Sequence, residues 1–202
     1  MNKAIKYLII SDIFIFTGFG LINPILAIFV KENLIGGTIF AAGLASMIFM
    51  LTKSLVQLPF SRYIDSHDSR IKWLILGTFI IAFVPVIYLL SSNIKHIYLA
   101  QFLYGIGSGL AFPAWLGIWS FNLDKGHESF EWSLYSTLVG VGTAVSAAVG
   151  ATIAGLFGFK YTFVFVGVMS MVGCGVLFNL EKKYGKGVTQ YRHHRRKNHK
   201  SH

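Results

Sequence analysis

The sequence predicts an all-α membrane protein with six transmembrane helices. Three observations carry that prediction. The 202 residues are 54% hydrophobic with a mean hydropathy of +0.60, more apolar surface than a soluble domain of this length hides. Six stretches each hold the ~20 mostly apolar residues needed to cross a ~30 Å hydrocarbon core as a helix. The connectors between them are short, and the stretches themselves carry almost no charge. A large soluble helical core explains neither the repeated membrane length nor the missing charge. In lipid each span must satisfy its own backbone, so the spans are helices.

The first span, Tyr7–Val30, is too long for a cleavable signal and ends in no small-residue cleavage site. It carries Asp12, and Asn23 and Pro24 mark a bend. The second, Ile35–Phe60, carries Lys53. The third is Lys72–Ser92. The fourth, Ile97–Phe121, places Gly105, Gly109, Pro113 and Gly117 at every fourth position. The fifth, Ser133–Phe157, does the same with Gly142, Ser146, Gly150, Ala154 and Gly158, beside a second stripe of Thr143, Ala147, Ala151 and Gly155. Such spacing keeps small residues on one face, where helix backbones approach closely. The sixth, Tyr161–Leu180, holds the single cysteine, Cys174, a packing residue with no internal disulfide partner. Connectors Lys31–Leu34, Asn93–His96 and Gly158–Lys160 are very short. Those at Ser61–Ile71 and Asn122–Trp132 are longer and charged. Neighbouring spans are therefore antiparallel, and Tyr and Trp near their ends fit an interfacial belt.

Of the 18 Lys and Arg residues, only Lys31, Lys95 and Lys160 fall on one side, and Lys53 lies within a span. The rest share the side of both termini, which predicts cytoplasmic termini in a plasma (inner) membrane. The net charge of +10 thus reports topology and gives no reason to expect nucleic acid. Residues 1–180 form the membrane domain. The basic tail, 181–202, is expected to be disordered and solvated near anionic lipid. Its His193, His194, His199 and His202 match no ordered metal site. No metal and no cofactor is expected.

Charges inside spans are costly and so point to function. Asp12 and Lys53 are both ~10 Å inside the cytoplasmic boundary, counted at ~1.5 Å per residue. Three readings stand: an Asp12–Lys53 ion pair, snorkelling or pairing with Glu131, or an Asp12 that faces a cavity and couples a proton. Hydrolase, metalloprotease and nucleotide-loop motifs are absent, and the GIGSGL run lies inside a span, so no enzyme is predicted.

The segment LVQLPFSRYIDSHDSRIKW resembles the loop between helices two and three of the major facilitator superfamily. Gln57, Leu58, Pro59 and Phe60 fit its lead-in, Asp65 its aspartate and Arg70 a basic position. Ser61, Ser66, Asp68 and Ser69 depart from the pattern. QFLYGIGSGLAFPAW resembles the family's fourth helix, with Gln101 and Tyr104 where arginine and glutamine stand. GFGLINPILAIFV resembles the opening helix, and GFKYTFVF the junction between helices five and six. The resemblance covers Tyr7 to Leu180, half of a major-facilitator fold.

The resemblance implies alternating access, in which two six-helix halves rock about a midplane site. One half supplies one wall, so a second copy or a separate half-transporter supplies the other, with a homodimer the simplest closure. It further implies that Asp65, with Arg62 and Arg70, forms a gate loop. Asp65 is then expected to dock on the partner's Trp132–Ser133 region, with Arg62 and Arg70 facing Glu128 and Glu131. Thr17, Asn23, Gln101, Tyr104 and Ser108 become the pathway candidates for a small-molecule substrate. The missing fourth-helix arginine removes coupling through that residue, and the fifth helix lacks the Gly-Pro pair of the family's antiporter motif. The reading is a half-size secondary transporter acting as a homodimer. The alternative is a membrane scaffold or assembly protein, or half of a heteromeric transporter.

Overall fold

The computed structural model describes residues 2–67 and 69–198, with side chains as far as 182. Among them it is all helix: α1 (Lys3–Ile22), α2 (Leu26–Asn33), α3 (Ile39–Ser66), α4 (Arg70–Leu90), α5 (Ile94–Asn122), α6 (Glu128–Phe157) and α7 (Phe159–Asn198). Six of these are long and apolar enough to cross a membrane.

The predicted first span is two helices. Pro24 has no N–H to continue the ladder, so α1 stops at Ile22 and the short α2 begins at Leu26. Polar caps set three starts. Asn2 accepts from the Ala4 N–H at 3.1 Å, Thr38 from Ala41 at 3.0 Å and Asn93 from Lys95 at 3.0 Å. Each meets a donor that the helix cannot satisfy itself. A parallel backbone bridge then ties the α2–α3 and α4–α5 turns together, with Ile35 N–H to Ser92 O and Ile94 N–H to Ile35 O, both 3.1 Å. The turn between α6 and α7 is the single residue Gly158, at φ 94°, a conformation that glycine adopts without strain.

Both longer connectors are shorter than the sequence suggests. α3 continues past Phe60 to Ser66. Ser61 stands where the family pattern has a helix-breaking glycine, and the Ser61 and Ser66 hydroxyls donate back to Leu58 O and Tyr63 O at 2.8 and 2.7 Å. Phe60 and Tyr63 pack on Trp73 of α4 and brace this extension. α6 starts at Glu128, not Ser133. Its first turn holds Glu128 and Glu131, which complement the positive end of the helix dipole. Their carboxylates also accept from the Gly126 and Asp124 N–H groups at 2.9 and 3.3 Å. The backbone of α7 runs on as helix through Asn198, where the sequence suggests disorder. Glu181, Lys182 and Lys183 are good helix formers that extend the apolar span. The side chains of His193 and His194, and all of His199 and His202, lie outside the described residues, as does Asp68.

Glycines set the helix spacing. A Cβ on Gly105 would meet Thr52 Cβ of α3 at 2.6 Å, and one on Gly109 would meet Val56 Cβ at 2.8 Å. Gly105 and Gly109 of the predicted α5 stripe are thus the α3 contact. Gly77 and Gly107 let α4 and α5 cross backbone to backbone: a Cβ on Gly107 would lie 2.7 Å from Gly77 O. The α6 stripe meets α1, with Gly142 against Thr17 and Gly150 against the Leu21 backbone. Ser11 Oγ donates to Gly173 O at 3.0 Å and ties α1 to α7. The core therefore sits among α1, α4, α5 and α7. α3 and α6 flank it and leave most of their surface uncovered.

Candidate functional site

Between α1, α3 and α5 lies a cavity of about 150 Å³ that holds both intramembrane charges. Helical spacing places its lining. Asp12 and Phe16 are one turn apart on α1, as are Phe49 and Lys53 on α3. Tyr104, Ser108, Phe112 and Trp115 form one face of α5. Thr78 of α4 and Tyr135 of α6 complete it. Two aromatic groups bound the space along the helix axes. On one side Tyr104 stacks between Phe19 and Phe49, with centroids 4.7 and 4.3 Å away. On the other, Trp115, Trp119, Trp132 and Tyr135 join α5 to α6, with Trp115 and Trp119 stacked at 5.0 Å.

Asp12 is only 8% exposed, and its Oδ2 has no hydrogen-bond partner. Tyr135 and Trp115 are the polar side chains beside it, yet Trp115 Nε1 stands outside hydrogen-bond geometry. Lys53 holds its ammonium 5.0 Å from the centroid of Phe112, a cation–π contact. Among the described residues no ion pair joins Asp12 to Lys53. The two charges share a cleft and stay apart. With α3 ending at Ser66, thirteen residues or ~20 Å separate Lys53 from that helix end.

Tyr104 and Ser108 line the cleft with Asp12 and Lys53. The other pathway candidates lie elsewhere. Thr17 faces α6, its Oγ1 2.9 Å from where a Gly142 Cβ would be. Asn23 is exposed at the α1–α2 break, and Gln101 is buried in α5 with Oε1 unpartnered. Sequence reasoning missed Phe16, Phe49, Thr78, Phe112, Trp115 and Tyr135. For Phe16, Phe49 and Phe112 the signal was present: each is four residues from Asp12, Lys53 or Ser108.

Of the three residues expected in the gate loop, Asp65 and Arg70 come together. Arg70 pairs with Asp65 at 3.3 Å. Its guanidinium lies 4.7 Å from the Phe121 centroid and fills the space left by Gly117. Arg62 is exposed. Glu128 and Glu131 serve the α5–α6 turn of their own chain.

No curated protein matches the chain in sequence. Its fold is similar to a solved structure described as the in meso crystal structure of the POT family transporter PepTSo. The TM-score is 0.78 at 16% identity, over 91% of this chain and 38% of that one. An auto-inhibited POT family peptide transporter gives 0.77 at 14% identity, over 91% and 38%. A peptide transporter POT in complex with sulfate gives 0.72 at 15% identity, over 95% and 40%. The chain thus spans about two fifths of these structures. A family model for the Major Facilitator Superfamily matches residues 8–199. Six membrane-length helices, a cleft lined by five of them and that match together place the chain in the Major Facilitator Superfamily of membrane transporters.

Proposed function

We propose that the chain is one half of a secondary transporter of a small solute, which closes its cleft against a second copy and works by alternating access. One observation carries this reading: the uncovered surfaces of α3 and α6 each divide lengthwise into two chemistries. On α3, Phe40, Met47, Leu51, Leu55 and Leu58 form a bulky exposed strip. On the other side, next to the cleft residues Phe49 and Lys53, run the small residues Gly43, Ser46, Ser54 and Ser61, interrupted by the exposed Met50 and by Gln57. On α6, Leu138, Val141, Val145, Val149 and Leu156 are the bulky strip. Ser133, Thr137, Gly140, Ala144, Ala148, Ala151 and Gly155 are the small one, on the side of Trp132, which reaches α5. Bulky strips suit lipid tails, and small ones suit a close helix. A two-fold axis along the membrane normal sets α3 of one copy antiparallel to α6 of the other. The small strips then run together from Gly43 near Gly155 to Asp65 near Trp132.

The basic side, with both termini, faces the cytoplasm of a plasma membrane, and the tail lies against anionic lipid. Asp12 is the coupling group, since a carboxylate in a membrane cleft needs a proton or a cation to balance it. A cleft that holds both an acid and a base favours transport over a scaffold. The test co-expresses Ser46→Cys and Ala151→Cys chains, each carrying Cys174→Ser. Disulfide-linked dimers between the two are expected, and none at all under oxidation refutes the second copy. Coupling is read by solute uptake under an imposed pH gradient. The gradient drives the wild type and not Asp12→Asn; equal, pH-independent uptake in both removes Asp12 from that role.

A further inference from the structure

We propose that the cleft binds a small zwitterion, with its ammonium on Asp12, its carboxylate on Lys53 and an apolar body against the aromatic walls. The assignment rests on the transport reading only in taking the cleft as a solute site.

The charges themselves carry the argument. Burying an acid and a base in one low-dielectric space is costly, and direct contact is the arrangement that recovers most of the cost. Here that contact is not made. Asp12 is buried with Oδ2 unpartnered, and its side chain belongs to the lining of the cavity. Lys53 is held instead over the Phe112 ring. The cavity therefore presents a negative and a positive group, set apart, with a space between them.

Each ligand class meets this pair differently. A monocation satisfies Asp12 and is repelled by Lys53. A monoanion does the reverse, and a neutral solute leaves both unanswered. A zwitterion answers both with charge-assisted hydrogen bonds. The walls select its body. Phe16, Phe49, Tyr104 and Trp115 make the cavity walls largely apolar. The volume of about 150 Å³ falls below the ~300 Å³ at which ligand pockets usually begin, so the ligand is small.

Binding to the purified full chain in lipid nanodiscs, read by isothermal titration, tests this with four probes. L-phenylalanine and alanylphenylalanine are zwitterions of short and longer charge separation. Phenethylamine carries only the cation, and 3-phenylpropionate only the anion. At least one zwitterion is expected to bind about ten- to a hundredfold more tightly than both singly charged probes, the worth of one charged hydrogen bond. Asp12→Asn is expected to turn the preference toward 3-phenylpropionate, and Lys53→Gln toward phenethylamine. Retained opposite selectivities show that each variant is folded. The proposal is overturned if the wild type binds a singly charged probe as tightly as the better-bound zwitterion, or binds none of the four. Interchain crosslinks that persist in that case leave the second-copy reading standing. Zwitterion binding without crosslinks overturns only the second copy.

Discussion

Gly173 and Gly175 lie two residues apart on α7, and the same substitution at each separates packing from helix propensity. A Cβ at Gly173 would lie 2.7 Å from Ile15 Cγ1 and 3.0 Å from Ser11 O of α1, whereas at Gly175 it meets nothing within 4 Å. Carbon contacts settle near 3.5–4.0 Å, so Gly173→Ala must push α1 and α7 apart by about 1 Å. That displacement also stretches the 3.0 Å bond from Ser11 Oγ to Gly173 O. Overpacking costs about 1–3 kcal/mol, and an interhelical hydrogen bond in a membrane protein is worth about 0.6 kcal/mol. Both variants gain the same ~1 kcal/mol from replacing a helical glycine by alanine. Gly175→Ala therefore stabilises by about that amount. Gly173→Ala falls about 2–3 kcal/mol below it. For a chain of this length the gap is about 5–10 °C in Tm. Thermal unfolding of both proteins in one detergent, followed by fluorescence-detected size exclusion, reads it. Equal Tm values, or a Gly173→Ala protein above Gly175→Ala, refute the reasoning that α1 sets the limit at Gly173.

Gly117→Ala would place a Cβ 2.7 Å from Arg70 Nε, so the guanidinium must leave its place over Phe121. Faster cleavage by trypsin in the 61–72 segment is expected, and an unchanged rate refutes Arg70 as an anchor of that segment. Thr38→Ala removes the oxygen that accepts from Ala41. It should cost about 1 kcal/mol and speed amide exchange in the first turn of α3 while α5 stays protected; equal exchange in both proteins refutes the cap. Tyr104→Ala opens the Phe19–Tyr104–Phe49 stack. Water-accessible thiol labelling of a cysteine at Ser108 should rise several-fold, and no rise refutes the stack as a barrier.

Spans were legible because length and apolarity alone decide whether a helix crosses a membrane. Pro24 announced the break after α1, and the glycine stripes announced close helix contacts. The ends of α3 and α6 were not legible. The segment 61–66 is polar, and its helix rests on hydroxyls returning to their own carbonyls and on Trp73 from the next helix. The candidate site was legible in part. Asp12, Lys53, Tyr104 and Ser108 converge, while Thr17 and Gln101, equally polar and on the same helices, turn elsewhere. A spacing of four says which residues share a face and leaves open what that face meets.

By itself the sequence determined the number of spans, their antiparallel order and the family motifs, because these depend on local composition along one chain. Only the tertiary structure decided that Asp12 and Lys53 share a cleft without pairing, that Arg70 closes on Asp65, and that α3 and α6 keep small strips uncovered beside that cleft. The physical reason is rotation. How far each helix turns about its axis is set by the backbone contacts at Gly77, Gly105, Gly107 and Gly150, and those contacts exist only once the neighbouring helix is in place.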